Sequence, residues 1–374
     1  MNRKTIIYYS TSRALANVSL GLVTVFGTLS IFQIFNNSLV HALAPLALIH
    51  LLHGLLVPLT ADFIGRVGTR TSIIIGSVLM LAGQLPLMLL ASDNYAPVLV
   101  YIALNAIGRP LMFTPVLYYV ARLTDARKRG SEYGLIRAII LVSIVIYPAL
   151  GGIVSASFGV AGLITASAMF ALLSIVPLFA IETFRFRYTG KVFKLLTHKA
   201  FRRASTLAIM NQPIDQFEHL WVVYVFLLLG SSYQDFGYLF TAILIISVGL
   251  SLLIGRFLDK HNRRTFLRRD SLLLFFSWIM RTLATSAPGV FVSDIVYKLN
   301  ANLKDSAYIV LTYDLMTAKK HRDAQLDEHI VVREMVTNIA AAVAIMFGAV
   351  IVLNFGFEAA FLFAALISLF FLFV

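Results

Sequence analysis

Four polar side chains, three of them titratable, recur along one stretch of the chain that is otherwise apolar. Asn211, Asp215, Glu218 and His219 lie in the stretch 204–229, and at 3.6 residues per turn they fall within about 100° of one another on a helix. A carboxylate that shares a low-dielectric cavity with a second carboxylate binds a proton more readily. A histidine one turn away can share that proton. The pattern predicts a face that takes up and releases a proton, or alternatively a structural clamp in which Asp215 or Glu218 only neutralises an arginine.

A second polar stripe lies in the apolar stretch 290–316. Asp294, Lys298, Asn302 and Asp305 fall within about 80° of one another on a helix. Asp294 and Lys298 are four residues apart with the acid first, a spacing at which the two charges can pair within the helix. Such a pair would need no ligand. Charges at this depth are costly, however, and a stripe of this length therefore predicts the lining of a water-filled cavity.

A basic residue, Arg109, lies near the middle of the apolar stretch 96–121. A charge at the centre of a bilayer costs ~2.5–3.5 kcal/mol, so the side chain must face a partner or a cavity. We expect it to be a charge partner for the carboxylates of 204–229 or a ligand for an anionic group of a substrate. A fixed ion pair is the equal alternative. Arg137 and Arg281 lie closer to the ends of their stretches, where a long side chain can reach the membrane surface.

Histidine and cysteine usage excludes several kinds of site. His41, His50 and His53 lie in one apolar stretch, but no set of carboxylates accompanies them, so hydrogen-bonded or cavity-facing roles are expected rather than a metal site. The chain has no cysteine, which excludes disulfides, thiol catalysis and zinc sites built on thiolates. The sequence therefore predicts neither a metal nor a cofactor.

The elements that position these residues are apolar stretches long enough to cross a membrane. The chain has 374 residues, is 59% hydrophobic and has a mean hydropathy of +0.85. About twelve stretches have the ~17–25 residues that a bilayer requires. They predict an all-α polytopic membrane protein with short connections, which leave no room for a soluble catalytic domain. The predicted spans are 13–35, 39–61, 71–91, 96–121, 134–156, 160–181, 204–229, 236–256, 267–287, 290–316, 330–353 and 357–374.

Basic residues occupy only every second connection between these spans. The clusters are Arg66 with Arg70, then 122–129, 185–203, 256–269 and 319–322, whereas the alternate connections have no Lys or Arg. Basic loops are retained in the cytoplasm, so we expect a protein of the plasma (inner) membrane with a cytoplasmic N-terminus. The net charge of +13 is thereby explained by topology and by contact with anionic headgroups, ~1 kcal/mol for each basic residue, and not by nucleic-acid binding.

An internal repeat divides the chain in two. The connection after the second span reads PLTADFIGR from residue 58, and the connection after the eighth reads GRFLDKHNRR from residue 255. Asp62 and Asp259 lie 197 residues apart (259 − 62), and the residues that follow repeat at the same offset. The basic connection 182–203 separates the copies and predicts an amphipathic linker on the membrane surface. We expect two domains of six helices each, 1–190 and 191–374. The residues that define the repeat are Asp62, Gly65 and Arg66 in the first copy and Gly255, Asp259, Asn262, Arg263 and Arg264 in the second.

This repeat resembles the signature loop of the major facilitator superfamily, Gly-x-Leu-x-Asp-Arg-x-Gly-Arg-Arg. The second copy has Asn262 in place of a glycine, and the first has Pro58 and Phe63 in place of the leading glycine and a basic residue. The fifth span contains Pro148, Gly151 and Gly152, which resemble the core of the antiporter motif of that family. The resemblance implies two pseudo-symmetric six-helix bundles, with spans one, four, seven and ten around a central cavity.

Acidic residues at helix ends have separate expectations. Asp62 and Asp259 can pair with basic residues and with the positive end of a neighbouring helix, contacts that would close the cytoplasmic side. Asp327 and Glu328, followed by Arg333 and Glu334 before the eleventh span, can belong to the same closing contacts. A solvated start of a helix, where negative charge is favoured, is the preferred expectation.

The sequence as a whole predicts a secondary active transporter rather than an enzyme. It would move a small organic solute by rocker-switch alternating access, coupled to protons through Asp215, Glu218 and His219, as a monomer by resemblance. Efflux by antiport is slightly favoured over uptake of a polar or zwitterionic nutrient by symport. The alternatives from other classes are a polytopic membrane enzyme and a non-transporting receptor. The short connections argue against the enzyme, and the buried charges argue against the receptor.

Overall fold

The described part of the chain is almost entirely helical. The computed structural model describes residues 3–123, 129–190, 199–258, 263–316 and 326–373, and no β-strand occurs in these ranges. The helices are α1 (Arg3–Gly21), α2 (Thr28–Ile34), α3 (Leu39–Val67), α4 (Thr69–Gln84), α5 (Ala96–Leu123), α6 (Arg129–Ile175), α7 (Lys199–Leu228), α8 (Tyr233–Leu258), α9 (Arg263–Thr282), α10 (Ala287–Met316) and α11 (Leu326–Ser368). A π-helical segment, Leu22–Gly27, joins α1 to α2 into one rod. Short 3₁₀ turns, Leu85–Leu89, Val176–Ala180 and Leu369–Phe373, extend α4, α6 and α11.

Two glycines break the longest helices. Gly159 in α6 has φ 62° and ψ −160°, and Gly356 in α11 has φ 86° and ψ 173°. This region of backbone space is essentially restricted to glycine. The breaks coincide with the predicted boundaries between spans five and six and between spans eleven and twelve. Seven helical stretches of the described residues are long and apolar enough to cross a membrane. With α6 and α11 each divided in two, the fold is consistent with the twelve predicted spans.

The two halves of the chain meet along two helix pairs, α3 with α11 and α6 with α8. Glycines allow the close approach in both pairs. A Cβ on Gly54 would lie 2.8 Å from Cγ1 of Ile339, and a Cβ on Gly152 would lie 2.6 Å from the carbonyl oxygen of Tyr233. Small residues at helix contacts are the usual way for membrane helices to pack, because lipid offers no hydrophobic driving force. The division at 190 and 191 stays a prediction.

The two ends of the bundle differ in charge. We call the end that carries Arg66, Arg70 and Arg122 the basic end, and the end that carries Asn36 and Ser231 the opposite end. The halves also touch at the opposite end. The side chain of Gln33 donates to the carbonyl oxygen of Ser231 at 3.3 Å, and the Tyr233 hydroxyl donates to Ser30 at 3.2 Å.

The start of α11 is buried, which corrects the expectation of a solvated acidic segment. Asp327 and Glu328 accept hydrogen bonds from the backbone of the segment 181–190, from the N–H of Arg187 at 2.5 Å and of Thr189 at 3.1 Å. That segment is non-helical, and residues 191–198 of the predicted amphipathic linker lie outside the described residues. Burial, and then the charge of Glu328, raise the pKa of Tyr188 in the same segment. Two carboxylates thus hold the segment 181–190 at the basic end.

Candidate functional site

Arg281, near the end of α9, is a fully buried charge. Its side chain is 0% exposed. Nε donates to Oδ1 of Asp294 at 2.9 Å, and the two terminal nitrogens donate to Asp294 and to Glu218. The acids come from α10 and α7, so one guanidinium joins three helices of the second half.

Aromatic rings complete the surroundings of this guanidinium. Cζ of Arg281 lies 4.8 Å from the ring centroid of Trp221, 4.7 Å from that of Trp278 and 3.5 Å from that of Tyr297. Cations are attracted to the faces of such rings, most strongly where water is excluded. The expectation that Arg281 reaches the membrane surface is therefore wrong. Its position near a helix end gave no sign of the acids on the neighbouring helices.

Lys298 completes a cluster of four charges, two of each sign. It pairs with Glu218 on α7, whereas Asp294 on its own helix pairs with Arg281. The intrahelical pair between Asp294 and Lys298 is therefore wrong, because both residues find partners on other helices. Lys298 and Glu218 keep 22% and 19% of their side-chain surface exposed, while Asp294 keeps none. The cluster has no net charge, and it presents one acid and one base at its accessible edge.

Only part of the polar face predicted on α7 forms contacts within that helix. The side chain of Asn211 donates to Asp215 on the same helix. Glu218 turns to the cations of α9 and α10, which is the geometry of the clamp alternative for that residue. His219 is half-buried beside Glu218. The proton role of Asp215, Glu218 and His219 stays a prediction.

A second group of buried polar side chains bridges the two halves, and sequence reasoning missed it. His53 on α3 and Glu334 on α11 approach to 3.6 Å, Nε2 to Oε2, with 2% and 8% of their side chains exposed. Neither ring nitrogen of His53 has a hydrogen-bond partner. One turn away, Nδ1 of His50 and Oδ1 of Asn338 lie 2.8 Å apart. The available signal was Glu334 itself, an acid inside the eleventh predicted span. Within the described chain no three His, Asp or Glu side chains could hold a metal ion.

Arg109 on α5 lies between these groups but pairs with none of them. Its Nε is buried without a hydrogen-bond partner, and its Cζ lies 5.4 Å from the ring centroid of Phe113. The carboxylate of Glu334 interacts with Arg109 electrostatically, but the two groups are too far apart to form an ion pair. The predicted fixed ion pair is therefore not formed by Arg109 in the described part of the chain. The side chain opens instead onto a cavity in the first half.

The repeated loop is visible only in its first copy. Asp62 and Arg66 form an exposed pair within α3, Oδ2 to Nη2 at 2.6 Å, and a Cβ on Gly65 would lie 3.0 Å from the carbonyl oxygen of Phe186. Gly255 lies in the last turns of α8. Several other predicted residues have side chains outside the described part of the chain. They are Asp259, Arg263, Arg264, Asn302, Asp305 and Arg137.

The fifth-span motif lies at the contact between the halves. Gly152 faces Gly237 of α8, and a Cβ on Gly237 would lie 2.5 Å from the carbonyl oxygen of Pro148. Gly151 packs against Phe26 of the π-helical segment. The motif therefore allows two helix backbones to touch.

Many transporters of small solutes are built from two repeated halves with polar sites at the interface between them. Comparison with known proteins identifies the family. The sequence model of the Major Facilitator Superfamily matches residues 9–234, and the chain belongs to that family. It is a secondary transporter, an integral membrane protein with several membrane-crossing helices. No curated protein sequence matches the chain.

Solved structures of the same family share the fold over nearly the whole chain. The human organic anion transporter MFSD10 (TETRAN) is 14% identical with a TM-score of 0.76, over 99% of this chain and 98% of that one. The xylose transporter XylE from E. coli, in a partially occluded inward open conformation, is 14% identical with a TM-score of 0.74, over 99% and 97%. A D-xylose-proton symporter is 16% identical with a TM-score of 0.69, over 98% and 96%. At these identities the likeness shows the fold alone.

Proposed function

We propose that this protein is a proton-coupled secondary active transporter of a small organic solute. Its proton site is the pair His53–Glu334, and its halves move by alternating access. The observation that carries the proposal is the position of this pair: two buried titratable side chains, one from each half, 3.6 Å apart. The N-terminus and the basic end face the cytoplasm, which the distribution of Lys and Arg supports.

Movement of the halves must change the surroundings of this pair. α3 and α11 pack at Gly54, where Ile339 leaves no room for a side chain. When these helices separate, a protonated His53 loses its nearest carboxylate. Leaving one member of a buried ion pair without its partner is strongly unfavourable. Proton binding is therefore linked to the conformation in which the helices are closed, and such linkage is reciprocal.

Charged neighbours set how strongly this pair holds its proton. Arg333 donates to Oε1 of Glu334 at 3.3 Å from the same helix. Arg109 of α5 is close enough to interact electrostatically with both His53 and Glu334, and His50 lies one turn from His53 on α3. These groups lie on α11, α5 and α3. Glu218, by contrast, is occupied by Arg281 and Lys298, which supports a structural rather than a proton-carrying role for that carboxylate.

Export by antiport is the direction that we propose. The segment that resembles the antiporter motif forms the contact of α6 with α8, at Gly152 and Gly237. Uptake by symport is the second candidate, and a different observation favours it. Lys298 and Glu218 offer one charge of each sign at the accessible edge of their cluster, which suits a zwitterionic solute.

The test is solute-driven proton movement in proteoliposomes that enclose a pH-sensitive dye. A panel of amino acids, sugars, organic acids and cationic drugs is added outside, and the sign of the pH change distinguishes symport from antiport. We expect His53→Gln to abolish the proton signal and His41→Gln to preserve it. His41 is the matched control, since it lies exposed at the opposite end of the same helix.

Three results would contradict the proposal. A His53→Gln protein with a wild-type proton signal would exclude the pair as the proton site. If Asp215→Asn abolished the signal instead, the proton site would lie on α7. Solute exchange without any proton movement in the wild type would remove proton coupling altogether.

A further inference from the structure

We propose that the transported solute carries an anionic group of the carboxylate class, and that Arg109 and Arg13 of the first half bind it. The inference rests on the proposed transport function and adds the chemistry of the substrate to it. No acid is among the residues that line the cavity onto which Arg109 opens.

Arg13 is buried and Arg109 is half-buried, and neither forms an ion pair in the described part of the chain. Arg13 on α1 is 6% exposed; its Nη2 donates to Oδ1 of Asn17 at 3.4 Å, and its Nη1 has no partner. Nε of Arg109 is likewise buried and unpartnered. A guanidinium has five N–H donors and is charged under all conditions that a protein tolerates. Nη1 of Arg13 and Nε of Arg109 are therefore buried donors without an acceptor among the described residues.

The two halves differ sharply in how they compensate buried charge. In the second half, Arg281 and Lys298 are matched by Glu218 and Asp294. The first half places the guanidinium groups of Arg13 and Arg109 in its interior, and no carboxylate of the described residues forms an ion pair with either of them. Charges inside a membrane protein are expensive, and they persist where a partner or a ligand compensates them. A compensating negative charge brought by the solute accounts for this asymmetry.

One aromatic ring places the two arginines in the same region. Cζ of Arg13 lies 5.5 Å and Cζ of Arg109 5.4 Å from the ring centroid of Phe113, so the two Cζ atoms are within about 11 Å of each other. Guanidinium groups bind carboxylates through two parallel hydrogen bonds. A solute with one carboxylate can occupy Arg109, and a short dicarboxylate can reach from Arg109 towards Arg13.

The cavity beside Arg109 supplies hydrogen-bonding groups for the rest of the solute. Its empty volume is about 490 Å³, including solvent at its mouth, and Arg109 is its only charged lining residue. Oγ of Ser77 faces it without a hydrogen-bond partner. Ser19 and Gln84 are both held by Ser167, at 2.8 Å and 2.7 Å, so this wall is fixed before the solute arrives. A cationic solute would be repelled, and a neutral one would leave the arginines uncompensated.

The test is equilibrium binding to the purified full-length protein in detergent, followed by its thermal unfolding midpoint. The probes are acetate, succinate, glutarate and benzoate, each paired with its neutral amide, with sodium chloride as the simple-ion control. We expect one or more carboxylates to raise the midpoint saturably, while the amides and chloride do not. Arg109→Gln and Arg13→Gln are each expected to weaken binding about tenfold or more, since hydrogen bonds to charged groups contribute ~1.5–3 kcal/mol.

The variants carry their own folding control. Neither arginine has an acid that its removal would orphan, so both glutamine variants should unfold at or above the wild-type midpoint without probe. Arg109→Lys keeps the charge but loses the two-pronged geometry and should bind with intermediate affinity. Arg185→Gln removes an exposed arginine of the segment 181–190 and should bind like the wild type.

Three outcomes would overturn the inference. They are equal binding of amides and carboxylates, saturation of the site by chloride alone, and unchanged carboxylate affinity in both arginine variants. Failure here is separable from failure of the proposed function. Proton-coupled flux of a neutral solute would contradict the anion site but not the proposed transport function. Carboxylate binding without proton movement would support the anion site and contradict proton coupling.

Discussion

Replacement of Arg281 by methionine should be among the most destabilising single changes in the second half of the chain. Among the described residues only Arg281 donates hydrogen bonds to the Asp294 carboxylate, and Oδ2 of Asp294 has no partner of its own. Glu218, by contrast, would still be paired with Lys298 after the substitution. The substitution therefore leaves one fully buried carboxylate without compensation.

The magnitude follows from that asymmetry. Removal of one partner from a buried ion pair costs ~3–5 kcal/mol, chiefly because the other charge stays buried. Loss of the contacts with Trp221, Trp278 and Tyr297 adds ~0.5–2 kcal/mol. A second substitution, Asp294→Asn, removes the orphaned charge. We expect the double variant to recover at least ~1–2 kcal/mol of the loss, within the range of coupling between contacting residues.

The assay is unfolding by SDS in mixed micelles, followed by tryptophan fluorescence. The chain has two tryptophans, and both lie on the guanidinium of Arg281, so the signal reports on this cluster directly. Arg185→Met at an exposed position is the control and should leave the midpoint unchanged. The reasoning is refuted if Arg281→Met costs less than ~0.5 kcal/mol, the usual limit for surface substitutions, or if Asp294→Asn adds to its cost instead of relieving it.

Two further predictions concern the contacts between the halves. Gly237→Ala should sharply reduce solute flux, because its Cβ would lie 2.5 Å from a backbone carbonyl oxygen of α6. Gly249→Ala on the same helix is the control and should be neutral, since a Cβ there would have nothing within 4 Å. Equal flux in the two variants would contradict the close contact. Asp327→Asn weakens the acceptor of the Arg187 N–H and should speed protease cleavage of the segment 181–190 in the folded protein severalfold. Glu182→Gln at an exposed position of that segment is the control, and an unchanged cleavage rate for Asp327→Asn would show that the carboxylate does not hold the segment.

Much of the fold could be predicted from the sequence, because the length and apolarity of a stretch are enough to identify a membrane-crossing helix. The breaks at Gly159 and Gly356 fall where the predicted spans change, since a reversal between two apolar helices needs the backbone freedom of glycine. The stripes on α7 and α10 were visible as helical periodicities. Their residues do lie on single helices, with Asn211 bonded to Asp215 as the spacing allows.

The choice of partners could not be predicted. Arg281 pairs with acids 63 and 13 residues away, and no periodicity within one helix encodes the rotation of α9 against α7 and α10. The same applies to Asp327, which the sequence placed in solvent and which the segment 181–190 covers. His53 was seen as one of three histidines, but its carboxylate lies on α11, 281 residues further along the chain (334 − 53). Contacts between the halves join residues that are far apart in the chain, and the local patterns of a single sequence do not predict which of these residues meet.

The account is tested most directly by Glu334→Gln, with solute exchange and solute accumulation measured on the same proteoliposomes. Glutamine retains the shape of the side chain but cannot take up a proton or form an ion pair with His53. The prediction is that exchange of labelled solute at equal concentrations continues near the wild-type rate, while accumulation driven by a proton gradient disappears. A variant that still accumulates solute against its gradient would contradict proton coupling through the His53–Glu334 pair.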